Sequence, residues 1–284
     1  MIEYIKRQDL DTIKYNKCVE KALQSKVYAF SWYLDIVADH WDVLVLEDYK
    51  AVMPIPWKKK YGIKYSTQPD FSQQLGVFSP EKIAKADILE FLNKIPKSFL
   101  KVTLNLNVKD TSLKQLTILK NHIIVLDKSY LEIKKTFSKG RKHAIKVAEK
   151  NQLEVLPITL DKLLEIYTKN YDYKIAKNIL KDLENYCLEN SKSEVLGVFK
   201  EGLLLGGGLF IKSNNSITYL FAAFSDKGRT FQASSFLISS ILKKYEKTGI
   251  IFDFEGGNKP SIGKFYRSFG AKEELYSCFK RTFL

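Results

Sequence analysis

Cysteine and histidine are both scarce in this chain, with three of each among 284 residues. The three cysteines are far apart and odd in number, and none stands at metal-ligand spacing from a histidine: Cys18, Cys187 and Cys278. This pattern argues against a disulfide framework and against a structural zinc site. We therefore expect reduced thiols and no bound metal.

Long apolar runs are missing as well. No stretch approaches the roughly 20 apolar residues of a membrane-spanning helix. The first residues are charged and lack the apolar segment of a signal peptide. We therefore expect a cytoplasmic protein without a membrane span. No Ser-His-Asp set, P-loop or dinucleotide-binding glycine fingerprint is visible, which argues against those enzyme classes.

What the chain does have is an ordinary globular composition with a strong excess of positive charge. It is 45% hydrophobic and 27% charged, and its length suits one large domain or two of roughly 130 residues each. The net charge of +14, with a pI near 9.4, favours anionic partners such as nucleic acid, phosphate-rich cofactors or membrane surfaces. The alternative is a set of scattered, solvated lysines.

Hydrophobic periodicity predicts the same plan of elements twice. Each half begins with a strand, two helices and three antiparallel strands, and continues with a further helix and strand. The predicted hairpin turns lie at Asp48-Tyr49, Glu201-Gly202 and Asn214-Asn215. We also predict a strand at "QQLGVFS" and one amphipathic helix over "RTFQASSFLISSILKKYEKT". The segment "KEELYSCFKRTFL" is predicted to be a closing strand of the second half.

A basic helical segment separates the two halves, and we predict a possible break at Gly140. Four of its lysines are three or four positions apart and therefore share one face: Lys139, Lys142, Lys146 and Lys150. The predicted domains are 1–128, a connector at 129–150, and 151–284. The lysine face suits tRNA phosphates or a nucleotide-linked substrate, and the alternative is a solvated helix face.

Several segments resemble the FemAB/FemX family of peptidoglycan aminoacyltransferases, which carry two GNAT acyltransferase domains in tandem. "FDFEGGNKPSIGKFYRSFGAK" resembles the family's strand ending in Asp-Phe-x-Gly, followed by a turn and a helix. "KGRKHAIKVAEKN" resembles the basic helix that precedes the second domain. "SWYLDIV" and "PDFSQQLGVF" look like stretches of a related branch.

The resemblance implies an α+β fold with two GNAT-like domains, each a mixed, mostly antiparallel sheet flanked by helices. It implies an N-acyltransferase that moves an acyl or aminoacyl group to an amine on a small molecule, peptide or sugar, with cell-envelope biosynthesis as the implied process. The implied donor is aminoacyl-tRNA or acyl-CoA, used as a co-substrate, with no permanently bound cofactor. The alternative is a catalytically inactive GNAT-fold module that binds an anionic or nucleotide ligand.

One segment departs from the acetyl-CoA-dependent pattern. Where those domains carry a Q/R-x-x-G-x-G/A loop, whose N–H groups hold the CoA pyrophosphate, this chain reads "SDKGRTFQASSFL". Gly228 and Arg229 are present, but the glycine spacing is not. The departure fits an aminoacyl-tRNA donor or an inactive relative better than ordinary acetyl-CoA chemistry.

Two carboxylates at the end of an apolar strand are the main catalytic candidates. Asp253 and Glu255 are two apart, so on a strand they would point to one face. There a carboxylate could accept a proton from an attacking amine or orient it. The alternative is that Asp253 caps the turn and Glu255 pairs with Lys259 or Lys264.

Further candidates follow from the resemblance and from local chemistry. Lys264 and Tyr266 lie where the family handles a phosphate or the carbonyl under attack, and a cation there would stabilise an oxyanion. Tyr219 lies near the expected acyl site, with a core role as the alternative. Three glycines in mid-strand, Gly206, Gly207 and Gly208, suggest a bulge or a close ligand.

The remaining candidates are substrate-binding residues. Arg141 and Lys142 belong to the basic helix. Trp32, Gln68 and Gln73 belong to an aromatic and amide-rich region that we expect to line a cleft between the domains and to bind a sugar or peptide acceptor. The alternative for these three is ordinary packing and surface exposure.

Overall fold

A computed structural model describes residues 1–108, 116–190 and 192–283. The chain packs as two compact units: unit 1 is Met1–Lys120 with Leu275–Leu284, and unit 2 is Asn121–Glu274. The division into domains 1–128 and 151–284 with a connector at 129–150 stays a prediction.

Unit 1 has the predicted order of element types, but its third sheet strand after the two helices is Ile63–Thr67, which was not predicted, instead of the "QQLGVFS" segment. Its elements are β1 (Ile2–Lys6), α1 (Thr12–Lys21), α2 (Ser31–Val37), β2 (His40–Leu46), β3 (Ala51–Lys60), β4 (Ile63–Thr67), α3 (Lys85–Lys94) and β5 (Phe99–Leu106). The Asp11 side chain caps α1 by accepting from two backbone N–H groups of its first turn.

The sheet of unit 1 has the order β1-β2-β3-β4-β5-β12, where β12 is Lys272–Thr282. All neighbours in it are antiparallel except β4 and β5, which are parallel. Helix α3 provides the crossover between those two strands. The core is a cluster of buried aliphatic and aromatic side chains that includes Phe91, Phe99 and Phe279.

Unit 2 follows the same plan. Its elements are the second half of β6 (Leu116–Val125), from Asn121 onward, and α4 (Tyr130–Lys135), α5 (Lys139–Lys150), β7 (Glu154–Pro157), α6 (Leu160–Asn170), α7 (Lys177–Glu189), β8 (Ser193–Lys200), β9 (Leu203–Lys212), β10 (Ser216–Phe224), α8 (Asp226–Thr230), α9 (Ala233–Lys244), β11 (Ile251–Asp253) and α10 (Pro260–Arg267). The predicted turns after β8 and β9 are confirmed.

The sheet of unit 2 has the order β6-β11-β10-β9-β8-β7. It repeats the pattern of unit 1, because β10 and β11 are parallel and every other pair is antiparallel. Helix α9 makes the crossover from β10 to β11. The predicted duplication of one mixed, mostly antiparallel plan is therefore confirmed.

The last strand of each sheet comes from an unexpected place in the chain. The predicted domains place β6 in the first half, which ends at residue 128, and β12 as the closing strand of the second. Instead, β6 pairs with β11, and the final residues of β12 pair with β5. Sequence periodicity finds a strand but carries no information on its partner, so this assignment was wrong.

Three local predictions also need correction. The break in the basic segment lies between α4 and α5 at residues 136–138, and Gly140 lies in the first turn of α5, which Ser138 caps. The single helix predicted from residue 229 onward is two helices, separated at Gln232, whose φ is +63°. "QQLGVFS" forms isolated bridges at Leu75 and Phe78 rather than a strand.

Candidate functional site

The sheet of unit 2 opens where β10 and β11 stop pairing. Thr218 and Asp253 form the last pair of this parallel ladder, whereas β10 runs on to Phe224. Leu220 is an extra residue in the pairing of β10 with β9, and such a bulge bends a strand. Beyond Thr218, no strand of the described residues pairs with this edge of β10. At its far end the Tyr171 hydroxyl bonds the N–H and the carbonyl of Phe224, which leaves residues 219–221 between the two.

The chain leaves β11 through a turn in left-handed backbone conformations. Glu255, Gly256 and Gly257 have φ values of +55°, +138° and +125°. Glu255 therefore does not continue the strand, and the prediction that it shares a strand face with Asp253 was wrong. A non-glycine residue with positive φ is strained by about 1 kcal/mol or more, and such strain is concentrated at functional sites.

Asp253 is buried, with 1% of its surface exposed, and it organises this turn. Its Oδ1 accepts from the Asn121 side-chain amide at 3.0 Å and from the Glu255 backbone N–H at 2.9 Å. The predicted capping role is thus present. Asn121 also donates to Glu274 Oε2 at 3.0 Å and accepts from the Gly256 N–H at 2.9 Å. One buried amide therefore joins two carboxylates and the turn.

His122, which is fully buried, holds the other side of the turn. Its Nδ1 lies 2.8 Å from the Gly256 carbonyl oxygen, so Nδ1 donates. Its Nε2 lies 3.3 Å from Arg267 Nη1, so Nε2 accepts. A Cβ on Gly257 would stand 2.2 Å from Nδ1. The imidazole therefore requires glycine at that position and fixes the path of the turn.

Tyr266, a predicted substrate-binding residue, lies beside the two carboxylates. Its ring packs on Phe254 with centroids 4.5 Å apart. Burial raises the pKa of the Tyr266 phenol well above its usual value, and the charges of Glu255 and Asp253 raise it further. The hydroxyl is therefore a neutral donor at physiological pH. The structure thus brings Asp253, Glu255 and Tyr266 together.

The basic residues of α10 are more exposed. Lys264 points into solvent, and its predicted catalytic role stays a prediction. Arg267 contacts His122 and lies 3.8 Å from Glu273 Oε2. Because Arg267 joins the imidazole to a carboxylate, it helps to support the turn.

Tyr219 and the mid-strand glycines are explained by packing. Tyr219 is buried and stacks on Phe210 with centroids 5.1 Å apart. A Cβ on Gly208 would stand 2.6 Å from the Tyr219 ring, and one on Gly207 would stand 2.2 Å from the Leu196 carbonyl oxygen. The predicted bulge lies at Leu220 on β10, with a second irregularity of β9 beside Gly206. A cofactor-binding role for Gly207 and Gly208 stays a prediction.

The loop proposed to hold a CoA pyrophosphate uses its N–H groups internally. The Gly228 N–H donates to Ser225 Oγ at 3.1 Å, and the Arg229 N–H donates to the Ser225 carbonyl at 2.9 Å. The Arg229 side chain pairs with Asp226 at 2.6 Å and lies over the Tyr171 ring. Gly228 is required because a Cβ there would stand 2.3 Å from the Leu205 carbonyl oxygen.

Arg141 is a half-buried cation at the start of α5. Its guanidinium donates to Ser268 Oγ at 2.9 Å and to Ser235 Oγ, and it lies over the Phe265 ring at 4.2 Å. Burial lowers the pKa of Arg141 to about 10, so it stays charged at neutral pH. Among the described residues no carboxylate pairs with it. Such a cation is a candidate for binding an anion of the substrate.

Lys142 differs from its neighbour, because its ammonium donates to the Lys135 carbonyl at 2.9 Å. It therefore closes the junction between α4 and α5. Lys139, Lys146 and Lys150 are exposed on α5. This face is accessible to phosphates, and a nucleic-acid role for it stays a prediction.

The three substrate-binding candidates of unit 1 make contacts within that unit. Gln68 donates to the Ser72 carbonyl at 2.9 Å and accepts from the Asn105 N–H at 3.0 Å. Gln73 is buried, so it is not the surface glutamine that the alternative predicted. Trp32 packs against the Tyr33 ring with centroids 5.3 Å apart. An acceptor-binding role for these side chains stays a prediction.

Sequence reasoning missed Asn121 and His122. Both are fully buried polar residues within β6, and two adjacent polar side chains ahead of the apolar run "IIVL" are the signal that could have found them. A buried polar side chain must find partners, and here the partners lie more than 130 positions away.

Two structural findings are confined to the part of the chain that the structure describes. No three His, Cys, Asp or Glu side chains there are grouped as they would be around a metal ion. No helix there is both long and apolar enough to cross a membrane.

Comparison with solved structures supports the architecture. FemX superposes with a TM-score of 0.71 at 12% identity, covering 97% of this chain and 96% of that one. The chain has the tandem GNAT fold. A tandem GNAT protein from the clavulanic acid biosynthesis pathway superposes with a TM-score of 0.55 at 10% identity, covering 99% and 98%.

A conserved protein of unknown function from Bacteroides thetaiotaomicron shares the tandem GNAT fold as well, with a TM-score of 0.60 at 11% identity, covering 98% and 100%. No protein-family model matches the sequence, and no curated protein matches it. At 10% to 12% identity these likenesses show the fold alone.

Proposed function

We propose that this protein is an N-acyltransferase of the GNAT/FemAB type, which forms an amide from an activated acyl or aminoacyl donor and an amine. The observation that carries the proposal is the opening beyond Thr218 and Asp253, where the unpaired edge of β10 lies beside the turn that holds Glu255. A site of this kind places a carboxylate and backbone donors next to one another at the end of a strand.

In this proposal the edge of β10 binds the donor. An extended polar chain can pair with the backbone of residues 219–221 as an added strand would. The bond to be broken then lies near the turn. Proximity and orientation supply most of the catalysis, because the two substrates are held together in a fixed geometry.

Glu255 is the proposed proton acceptor, since it is the more exposed of the two carboxylates. The amine nitrogen attacks the carbonyl carbon, and a tetrahedral intermediate forms. Glu255 takes the proton that the nitrogen loses. The Tyr266 hydroxyl, a neutral donor, stabilises the oxyanion. The carbon–oxygen or carbon–sulfur bond to the leaving group then breaks, and the leaving group takes up a proton from solvent.

Asp253 is the proposed positioning residue rather than the base. It is buried and already accepts two hydrogen bonds, one of them from the Glu255 backbone. It therefore sets the position of Glu255 instead of meeting the amine itself. A carboxylate oxygen suits this role, because it can accept both hydrogen bonds.

The donor is an aminoacyl-tRNA or a CoA thioester in this proposal. The structure of the clavulanic acid pathway protein is one without acetyl-CoA, which makes acetyl-CoA a ligand to consider for that protein. A CoA donor is less favoured in this chain, because the N–H groups of Gly228 and Arg229 already donate hydrogen bonds within their own turn. For an anionic substrate, Arg141 offers a half-buried guanidinium without a carboxylate partner among the described residues, and α5 offers exposed lysines. These observations favour a phosphate-bearing substrate near α5.

The test is a transfer assay. The protein is incubated with a panel of primary amines, amino sugars and peptides, with either CoA thioesters or charged tRNA, and products are identified by mass spectrometry. We expect an amide product with one donor class. Glu255→Gln should lower kcat at least 100-fold, whereas Glu154→Gln, an exposed carboxylate on β7, should leave it unchanged.

Two results would count against this function. Equal rates in the Glu255→Gln variant and the parent would remove Glu255 as the base. Binding of a nucleotide or phosphate ligand without transfer from any donor would support the catalytically inactive binding module instead.

A further inference from the structure

A cavity of about 720 Å³ lies in unit 1, and none of the candidate site residues lines it. Lys64 and Phe99 both line it, and they are the first pair of the parallel strands β4 and β5. Gln68 follows the opposite end of β4. The cavity therefore lies at the starting ends of these strands, and its volume is typical of a site for a small molecule.

Two of the carboxylates that line this cavity already have cationic partners. Asp35 forms a bidentate pair with Arg7, at 2.8 and 2.9 Å. Asp39 pairs with Lys58 at 3.0 Å. Their charges are therefore compensated within the chain.

The third carboxylate, Asp42, is buried and accepts hydrogen bonds from three donors. These are the Tyr4 hydroxyl, the Trp57 indole N–H at 2.8 Å, and the Arg7 backbone N–H at 3.0 Å. Asp42 thus serves to fix the Tyr4 and Trp57 rings in the wall. With all three carboxylates engaged, the cavity offers no obvious partner for a cationic ligand.

Two lysines in the lining differ from these carboxylates, because they have no oppositely charged partner among the described residues. Among the described residues, neither Lys6 nor Lys64 pairs with a carboxylate. The Lys64 ammonium lies over the Trp57 ring, 4.5 Å from its centroid. The half-buried Trp57 ring also stacks on the exposed His40 ring, with centroids 4.3 Å apart, and these two rings provide the aromatic surface of the lining. The lining therefore combines unpaired positive charge with aromatic walls.

We propose that this cavity binds a small organic anion, a carboxylate or a phosphate monoester attached to an aromatic or other apolar body. Lys6 and Lys64 hold the anionic group, and the stacked Trp57 and His40 rings pack against the body. The proposal is independent of acyl transfer, because the cavity and the β10–β11 opening share no residue.

The test uses the indole N–H signals of the full-length protein labelled with nitrogen-15. The chain has three tryptophans, and Trp41 and Trp57 line the cavity whereas Trp32 does not. On titration with phenyl phosphate or benzoate we expect shifts of Trp57 and Trp41 but not of Trp32. Inorganic phosphate, which lacks the body, and benzyl alcohol, which lacks the charge, should each bind at least tenfold more weakly.

Substitutions of the two lysines test whether they hold the anionic group. The double substitution Lys6→Gln and Lys64→Gln should weaken phenyl phosphate at least tenfold, since it removes both charged donors. Lys17→Gln removes the same charge from an exposed position of α1 and should change nothing. Tighter phenyl phosphate than benzoate identifies a phosphate monoester site, and the reverse identifies a carboxylate site.

Three results would overturn the proposal. These are no shift of Trp57 with either anion, equal affinity in the double variant and the parent, or tighter binding of benzylamine than of benzoate.

Discussion

The side chains of Asn121 and Asp253 are 132 positions apart in the sequence and 3.0 Å apart in the fold. This one bond joins β6 to the end of β11, at the point where β11 stops pairing with β10. Because Asn121 also holds Glu274 and the Gly256 N–H, it controls the shape of the turn that presents Glu255. The shape of the turn therefore depends on a side chain of β6, which lies far from the turn in the sequence.

Replacing Asn121 by Asp tests this relationship. The substitution keeps the shape of the side chain but replaces the donor amide with a carboxylate facing Asp253 and Glu274. We expect a loss of about 3 kcal/mol or more in the free energy of unfolding, because like charges would be buried together. Urea denaturation at pH 7 measures it.

The matched control is Asn93→Asp, which adds the same charge at an exposed position of α3. It should change stability by less than about 0.5 kcal/mol. A similar small effect in Asn121→Asp would show that the amide does not hold the two carboxylates.

Much of the fold was predictable from the sequence because the relevant signals are local. Alternating apolar residues identified β8, β9 and β10, and the turn residues between them were correct. Partner choice was not local. The exchange of β6 and β12 between the two sheets depends on packing across the whole chain, which periodicity does not record.

The site was partly predictable, because some of its residues give a local signal in the sequence and others do not. Asp253, Glu255 and Tyr266 were found because they lie within one short segment. His122 and Asn121 were missed because their contacts are distant in sequence. Gly207 and Gly208 attracted attention as ligand contacts, yet a neighbouring strand and the Tyr219 ring explain their lack of a side chain.

Gly257→Ala tests whether His122 fixes the turn. A methyl group would lie 2.2 Å from the imidazole Nδ1, in a backbone with φ of +125° that alanine disfavours. We expect a loss of about 3 kcal/mol or more by chemical denaturation, from steric overlap together with backbone strain.

Gly140→Ala is the control for this substitution. Gly140 has open space around it in the first turn of α5, so alanine should stabilise the protein by up to about 1 kcal/mol. Equal effects of the two substitutions would mean that the imidazole does not constrain Gly257.

Phe279→Ala tests whether β12 packs in the core of unit 1 and pairs with β5. Phe279 is 4% exposed and packs in the core of unit 1 with Phe91 and Phe99. We expect a loss of about 3 to 5 kcal/mol, with faster amide hydrogen exchange in β5, which pairs with β12. Phe283→Ala, at a position 37% exposed, should cost much less. Protection of β5 that is unchanged in Phe279→Ala would contradict the pairing.

The burial of the Cys187 thiol predicts that the free energy of unfolding depends on pH. The thiol is fully buried, and burial raises its pKa to about 12 from 9.0. Between these values the unfolded chain has released a proton that the native chain retains, so stability falls as the pH rises from 9 toward 12. We expect Cys187→Ala to lose less stability than the parent between pH 8 and pH 10.5, measured by urea denaturation. Identical slopes for the two proteins would contradict the burial of this thiol.

The most direct test of the central claim is a crystal structure with an unreactive donor analogue, chosen from the donor class that supports transfer. The account predicts that the analogue pairs with the edge of β10 beyond Thr218 and places its carbonyl carbon beside Glu255 and Tyr266. An analogue bound elsewhere, with this edge of β10 left uncovered, would contradict it.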